Sequence, residues 1–95
     1  MKFDWHPPKA ASNLEKHGVS FDEAKTVFDD PNQLHLADEA HSMGEQRYYC
    51  IGFSNQQRLL TVVYTERPAE TLRLISAREA TRREEEEYGS QSYFT

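Results

Sequence analysis

Three arginines in the C-terminal half, Arg67, Arg73 and Arg78, are the residues whose type and setting best fit a chemical task. A guanidinium presents several N–H donors in a planar fork and can grip a phosphate through paired contacts. The grip is firm only when a rigid element holds the side chain. Arg67 stands in the turn R-P-A-E between two apolar, β-branched runs, Leu59–Tyr64 and Thr71–Ala77. Arg73 lies inside the second run and Arg78 just past its end. Phosphate binding is the chemistry this suggests, provided the side chains are not locked in pairs with the chain's own carboxylates. Each has a plainer use: Arg67 as a solvated turn residue, Arg78 as the partner of a nearby glutamate or as a stem packed on the sheet. In a regular strand Arg73 and Arg78 fall on opposite faces, and Arg67 lies near the far end, so a single tight cluster is not implied.

Lys16-His17, at the expected end of a helix, could supply charge and proton transfer near neutral pH. Spacing alone favours the plainer use, in which both complement the helix C-terminus. The four histidines, at 6, 17, 35 and 41, form no i,i+4 pair and no H-E-x-x-H, so no metal site is suggested. His35 reads as a surface or edge residue, and His41 as either a loop hydrogen-bonding group or a ligand contact. No Gly-rich phosphate loop, G-x-S-x-G or Cys/His nucleophile pattern occurs, and no cofactor is implied. Cys50 is the single cysteine, which rules out an internal disulfide and reads as a small buried hydrophobe.

These residues need a scaffold, and 95 residues suffice for one domain with a modest core. No apolar run approaches the roughly 20 residues that cross a bilayer, and the M-K-F-D-W start lacks a signal-peptide core, so a cytoplasmic protein without membrane contact is expected. The formal charge of −5 has the wrong sign for simple attraction to nucleic acid. It is uneven, however. Between Arg58 and Arg83 six arginines face three glutamates, while acid gathers at Asp22–Glu39 and Glu84–Glu87. An acidic protein can therefore own a basic site, and a basic partner is equally compatible.

The expected order is a short strand at Phe3–Trp5, a helix beginning at Pro7-Pro8 and stopping at Gly18, and a second helix capped by Ser20 with Glu23 completing a capping box. Val19 and Ala24 occupy the positions of a hydrophobic staple, and Asp29-Asp30-Pro31 ends that helix. Strands follow at Leu34–Ala37, Arg47–Phe53, Leu59–Tyr64 and Thr71–Ala77, with Pro68 opening a type I turn. Ser76-Ala77-Arg78-Glu79 has the form of a capping box, so the last helix is expected to start there. The fold class is α+β: two N-terminal helices on a four-stranded, mainly antiparallel sheet, then a charged C-terminal helix. Residues 1–88 form the domain and 89–95 a loose tail.

Several stretches together resemble one known family. F-D-W-H-P-P-K-A-A-S-N-L-E-K-H-G-V-S-F-D-E-A-K-T-V-F-D-D-P, D-E-A-H-S-M-G-E-Q-R, I-G-F-S, R-L-L-T-V-V-Y-T-E-R and L-R-L-I-S-A-R-E-A-T-R-R-E are similar, in this order, to BrnT-type toxins of bacterial type II toxin–antitoxin pairs. The resemblance spans roughly residues 3 to 88. It implies a RelE-like fold and metal-independent RNA cleavage, in which the ribose 2′-hydroxyl attacks the adjacent phosphate. Carried onto this chain, it implies Arg67 and Arg78 as charge-stabilising groups and His17 as a proton-transfer group. Lys9, Lys16 and Arg73 become RNA contacts, and Tyr88 a residue closing the site. It further implies a BrnA-type antitoxin that blocks the site, with operator DNA bound only through that antitoxin. One departure stands out: where relatives continue with basic residues, this chain has Glu84-Glu85-Glu86-Glu87, which favours a second reading as a catalytically weak, antitoxin-binding co-repressor.

Overall fold

The computed structural model describes residues 1–39 and 44–91. Its axis is a long antiparallel hairpin of β4 (Leu59–Arg67) and β5 (Thr71–Glu79). Ala69 (φ 62°) and Glu70 (φ 55°) adopt left-handed backbone between them. A type I turn needs negative φ at both central positions, so the turn expected at Pro68 is of another kind. β3 (Tyr48–Phe53) pairs antiparallel with β4, and β2 (Leu34–Ala37) antiparallel with β3. Among the described residues the sheet has five strands, not four, in the order β1-β5-β4-β3-β2. The extra member is β1 (Lys2–Trp5), which lies parallel to β5 and covers only Thr71–Leu74.

α1 (Pro7–His17) places proline in its first turn and ends on Gly18 at φ 67°, whose N–H donates to Leu14 O at 2.9 Å. α2 (Phe21–Ala24) is shorter than its sequence pattern suggests and tightens into a 3-10 helix over Lys25–Asp29. Thr26 Oγ1 donates to Glu23 O at 2.7 Å, a local bond that competes with the α-helical ladder. Ser20 Oγ accepts from Glu23 N at 3.0 Å, but the other half of the expected box is absent because the Glu23 carboxylate turns to Arg58. The 3-10 segment seats closely on β3: a Cβ at Gly52 would stand 2.9 Å from Val27 Cγ1.

α1, α2 and the 3-10 segment cover one face of the sheet. Val19, Phe21, Ala24 and Val27 pack there against Leu60, Val62, Tyr64, Leu74 and Ala77, with Trp5 edge-on to Phe21 and Phe28 edge-on to Tyr64. Along β5 the buried residues are Leu72, Leu74 and then Ala77, which breaks simple alternation. The cause is a register shift: Val63 pairs with Ser76 but Tyr64 with Leu74, leaving Ile75 as an extra residue. Such a bulge reverses the parity beyond it. Arg73 and Arg78 therefore share the face away from this core, opposite Thr65 and Thr61.

Arg78 lies within β5 and not in a helical turn, so the cap expected at Ser76 is not used. α3 (Arg82–Gln91) is capped by Thr81: its Oγ1 accepts from Glu84 N at 3.2 Å and its N–H donates to Glu84 Oε1 at 2.8 Å. The helix runs through Gly89 and Ser90, past the expected boundary at residue 88. It leans on the second sheet face, where the Tyr88 ring meets Phe53 at 5.5 Å and the Tyr88 hydroxyl donates to Asp30 at 2.6 Å. No residue of α3 is itself buried. No helix among the described residues is long and apolar enough to cross a membrane.

Candidate functional site

Beyond Trp5 the outer edge of β5 has no neighbouring strand among the described residues, and one side chain of α1 takes the place of one. Asn13 Nδ2 donates to Ala77 O at 2.8 Å and to Val19 O at 2.9 Å, while Oδ1 accepts from Ala77 N at 3.0 Å. Its amide satisfies both backbone groups of Ala77, and the residue is buried. This pins α1 against β5 and aims the helix face bearing Lys9, Lys16 and His17 at Ile75 and Ser76. Between them lies a cavity of about 190 Å³. A lysine pair beside an imidazole, facing an uncovered strand edge, can hold an anion and move a proton next to it.

A second cavity, of about 410 Å³, adjoins the first and shares Lys9 and Ile75 with it. His6, Arg47, Thr65, Arg67 and Arg73 also line it, together with Glu45. Arg67 is paired with Glu45 at 3.2 Å and Arg73 with Asp4 at 3.6 Å. Both pairs are solvent-accessible, with side-chain exposures of 37 to 49% across the four residues. Exposed pairs of this kind stabilise by only about 0–1 kcal/mol, so a phosphate can displace either carboxylate at little cost. Thr65 differs from its surroundings: it is 1% exposed, and its hydroxyl has no hydrogen-bond partner. A buried hydroxyl in that state costs about 1–3 kcal/mol.

Arg78 is elsewhere and engaged. Its Nη1 and Nη2 donate to the two carboxylate oxygens of Glu84 at 2.7 and 3.0 Å. Thr61 Oγ1 donates to the same carboxylate at 2.9 Å. Burial works to raise the Glu84 pKa, but the bonds from Arg78, Thr81 and Thr61 outweigh it and bring it down to about 2. Glu84 is 14% exposed against 40% for Arg78, so this pair is better shielded than the Arg67 and Arg73 pairs. Tyr88 lies farther along α3 on Asp30. Burial opposes ionisation of that carboxylate, yet donors from Tyr88 and from the Phe53 and Asn32 backbone hold its pKa below the usual value.

Of the residues marked out in the sequence, Lys9, Lys16, His17, Arg67 and Arg73 thus come together around two adjoining cavities. Arg78 and Tyr88 do not join them. Asn13 and Thr65 were missed, since both owe their interest to partners, present or absent, that only the folded chain defines. Arg58 is structural: it binds Glu23 through Nε (3.0 Å) and Nη2 and donates to Gly18 O at 3.0 Å. Its hydrogen bond lowers the Glu23 pKa against the effect of burial.

His35 sits on the edge strand as expected, though it is not loose. Gln33 Oε1 lies 2.7 Å from its Nε2 and the Tyr64 hydroxyl 2.6 Å from its Nδ1. An amide oxygen can only accept, which assigns the donor role to Nε2 and lets Nδ1 accept from Tyr64. Burial lowers the imidazole pKa. Cys50 is fully buried and its thiol is pushed up to about 12, chiefly by that burial. Among the described residues no group of three His, Cys, Asp or Glu side chains is arranged to hold a metal ion. His41 lies outside the described residues.

Comparison with known proteins gives the arrangement a context. Residues 5–84 match the family model described as the ribonuclease toxin, BrnT, of type II toxin–antitoxin systems. The crystal structure of the Brucella abortus ribonuclease toxin, BrnT, superposes with a TM-score of 0.67 at 26% identity, covering 86% of this chain and 99% of that one. No curated protein sequence matches the chain.

Proposed function

Since the chain belongs to the BrnT family of ribonuclease toxins of type II toxin–antitoxin systems, we propose that it cleaves RNA where α1 meets the free edge of β5. The observation that carries this reading is the gathering of Lys9, Lys16, His17, Arg67 and Arg73 around two adjoining cavities on a protein of net charge −5. In the proposed reaction the ribose 2′-hydroxyl attacks the neighbouring phosphorus and the 5′-oxygen of the next nucleotide leaves. A cyclic 2′,3′-phosphate and a free 5′-hydroxyl result. Lys9 and Lys16 stabilise the added negative charge on the phosphoryl oxygens, and His17 exchanges the proton at the attacking or leaving oxygen. Arg67 and Arg73 release their exposed carboxylates and hold the backbone beside the cut. Arg78 has a different part: with Glu84 it fastens α3 to the sheet.

The proposed partner is a BrnA-type antitoxin that occupies this basic corner and carries operator binding for the pair, in the cytoplasm. α3, which buries none of its own residues, offers it a second contact. A second reading, the antitoxin-binding co-repressor without strong catalysis, is favoured if the reaction needs Arg78 as the resemblance implies, because Arg78 is already occupied by Glu84.

The deciding experiment adds purified protein to single-stranded RNA with EDTA present. Fragments ending in 2′,3′-cyclic phosphate support the nuclease. Intact RNA over a wide range of folded protein, with unaffected growth on expression without antitoxin, overturns it in favour of the co-repressor.

A further inference from the structure

We infer that the cavity beneath Arg67 and Arg73 is a specific phosphate seat in which Thr65 supplies the neutral hydrogen bond, and that it holds the phosphate next to the one being cut. The starting point is the Thr65 hydroxyl. It is almost wholly shielded from water and has no partner, and Thr65 is one of the residues that line the cavity. The cationic side chains in the lining, Lys9, Arg47, Arg67 and Arg73, carry donors only and cannot accept its proton, and the His6 imidazole, which also lines the cavity, makes no hydrogen bond to it. The one carboxylate in the lining, Glu45, is held by Arg67. What the hydroxyl lacks is an acceptor oxygen brought by a ligand, and the charge of the cavity specifies an anion.

Sheet geometry narrows the choice of anion. Thr65 pairs across the hairpin with Arg73, and Arg67 is two residues along the same strand, so all three project from one face of β4–β5. A tetrahedral phosphate meets donors from several directions at once. A planar carboxylate satisfies one fork and leaves the hydroxyl unserved. Because Lys9 and Ile75 belong to both cavities, a backbone whose cut phosphate lies at Lys16 and His17 passes directly into this seat. The position of the phosphate relative to the cut rests on the nuclease reading, whereas the seat itself does not.

Titration with inorganic phosphate at constant ionic strength, followed by amide and arginine Nε resonances, tests the seat. Shifts are expected at Thr65, Arg67 and Arg73. Thr65→Val keeps the shape and removes the hydroxyl; it should fold at least as stably and bind phosphate at least fivefold more weakly. Asp4→Asn, which releases Arg73 from its carboxylate, should tighten binding about twofold. Unchanged affinity in Thr65→Val, or equal shifts with acetate, would overturn the seat; the latter would favour an acidic protein segment as the natural occupant. The second arm uses a single-stranded RNA carrying 2′-deoxyribose at the cut position, which binds but cannot react. A similar loss of affinity for it in Thr65→Val ties the seat to RNA, and an undiminished affinity removes the adjacent-phosphate claim. If wild-type protein binds both probes in this manner yet cleaves nothing, the nuclease reading fails and the seat stands.

Discussion

The α1–β5 corner and the α3 junction both set arginine or lysine near carboxylates, with opposite outcomes. At the corner, Arg67 and Arg73 touch Glu45 and Asp4 in open, single contacts that water or a ligand can replace. At the junction, Glu84 binds Arg78 through both oxygens, accepts from Thr61 and Thr81 as well, and is 14% exposed. A cation is available for chemistry when its partner is itself weakly held. Arg78 is near acid that the fold has fixed in place, while Arg67 and Arg73 are near acid that it has not.

Lys9 is the cation common to both cavities, so its loss should have the largest effect. Lys9→Ala should lower the cleavage rate by about 10²-fold, in the range seen for loss of one charge-stabilising donor, with thermal stability nearly unchanged. A rate within twofold of wild type would remove the corner from the reaction. Next comes the support of that corner. Asn13→Ala strands two buried backbone groups of Ala77 and should destabilise the fold by about 2–3 kcal/mol, read by urea unfolding. A loss below about 0.5 kcal/mol would mean that α1 is held by packing alone.

The junction is tested by pH. Glu84 has a folded pKa of about 2, below its ordinary 4.5, so its stabilising contribution is complete above the unfolded value and fades as pH falls toward the folded one. For so well-shielded a carboxylate the contribution is about 2 kcal/mol, allowing for the partial exposure of Arg78. Stability should therefore decline from pH 5 towards pH 2, and Glu84→Gln should make that decline shallower while lowering stability at pH 7. An unchanged slope would contradict the assignment. The smallest effect belongs to the open pairs: Glu45→Gln should cost under about 0.5 kcal/mol of stability and tighten RNA binding two- to threefold by releasing Arg67.

Much of this molecule was legible before folding because its signals are local. Gly18 ends α1 through its own left-handed φ, and Ser20 caps α2 through a bond three residues long. The basic corner was legible in its members, Lys9, Lys16, His17, Arg67 and Arg73, but not in their meeting. That depends on β1 stopping after four residues and on Asn13 reaching a strand 64 positions away. The fate of Arg78 turned on two choices invisible to local pattern. A bulge at Ile75 moved it to the same face as Arg73, and a capping box formed at Thr81 in preference to the equally well-formed pattern at Ser76. The plainer use of Arg78, as partner to a nearby glutamate, is the one the fold adopts.

Availability, not mere presence, separates the arginines of this chain. The most direct measurement compares single-turnover cleavage of one short RNA, with EDTA present, by Arg67→Ala and Arg78→Ala at a temperature where both are folded. Cleavage should fall at least tenfold in Arg67→Ala and less than threefold in Arg78→Ala, while the latter loses more thermal stability. The reverse order, with Arg78 needed for the reaction and Arg67 dispensable, would contradict the account.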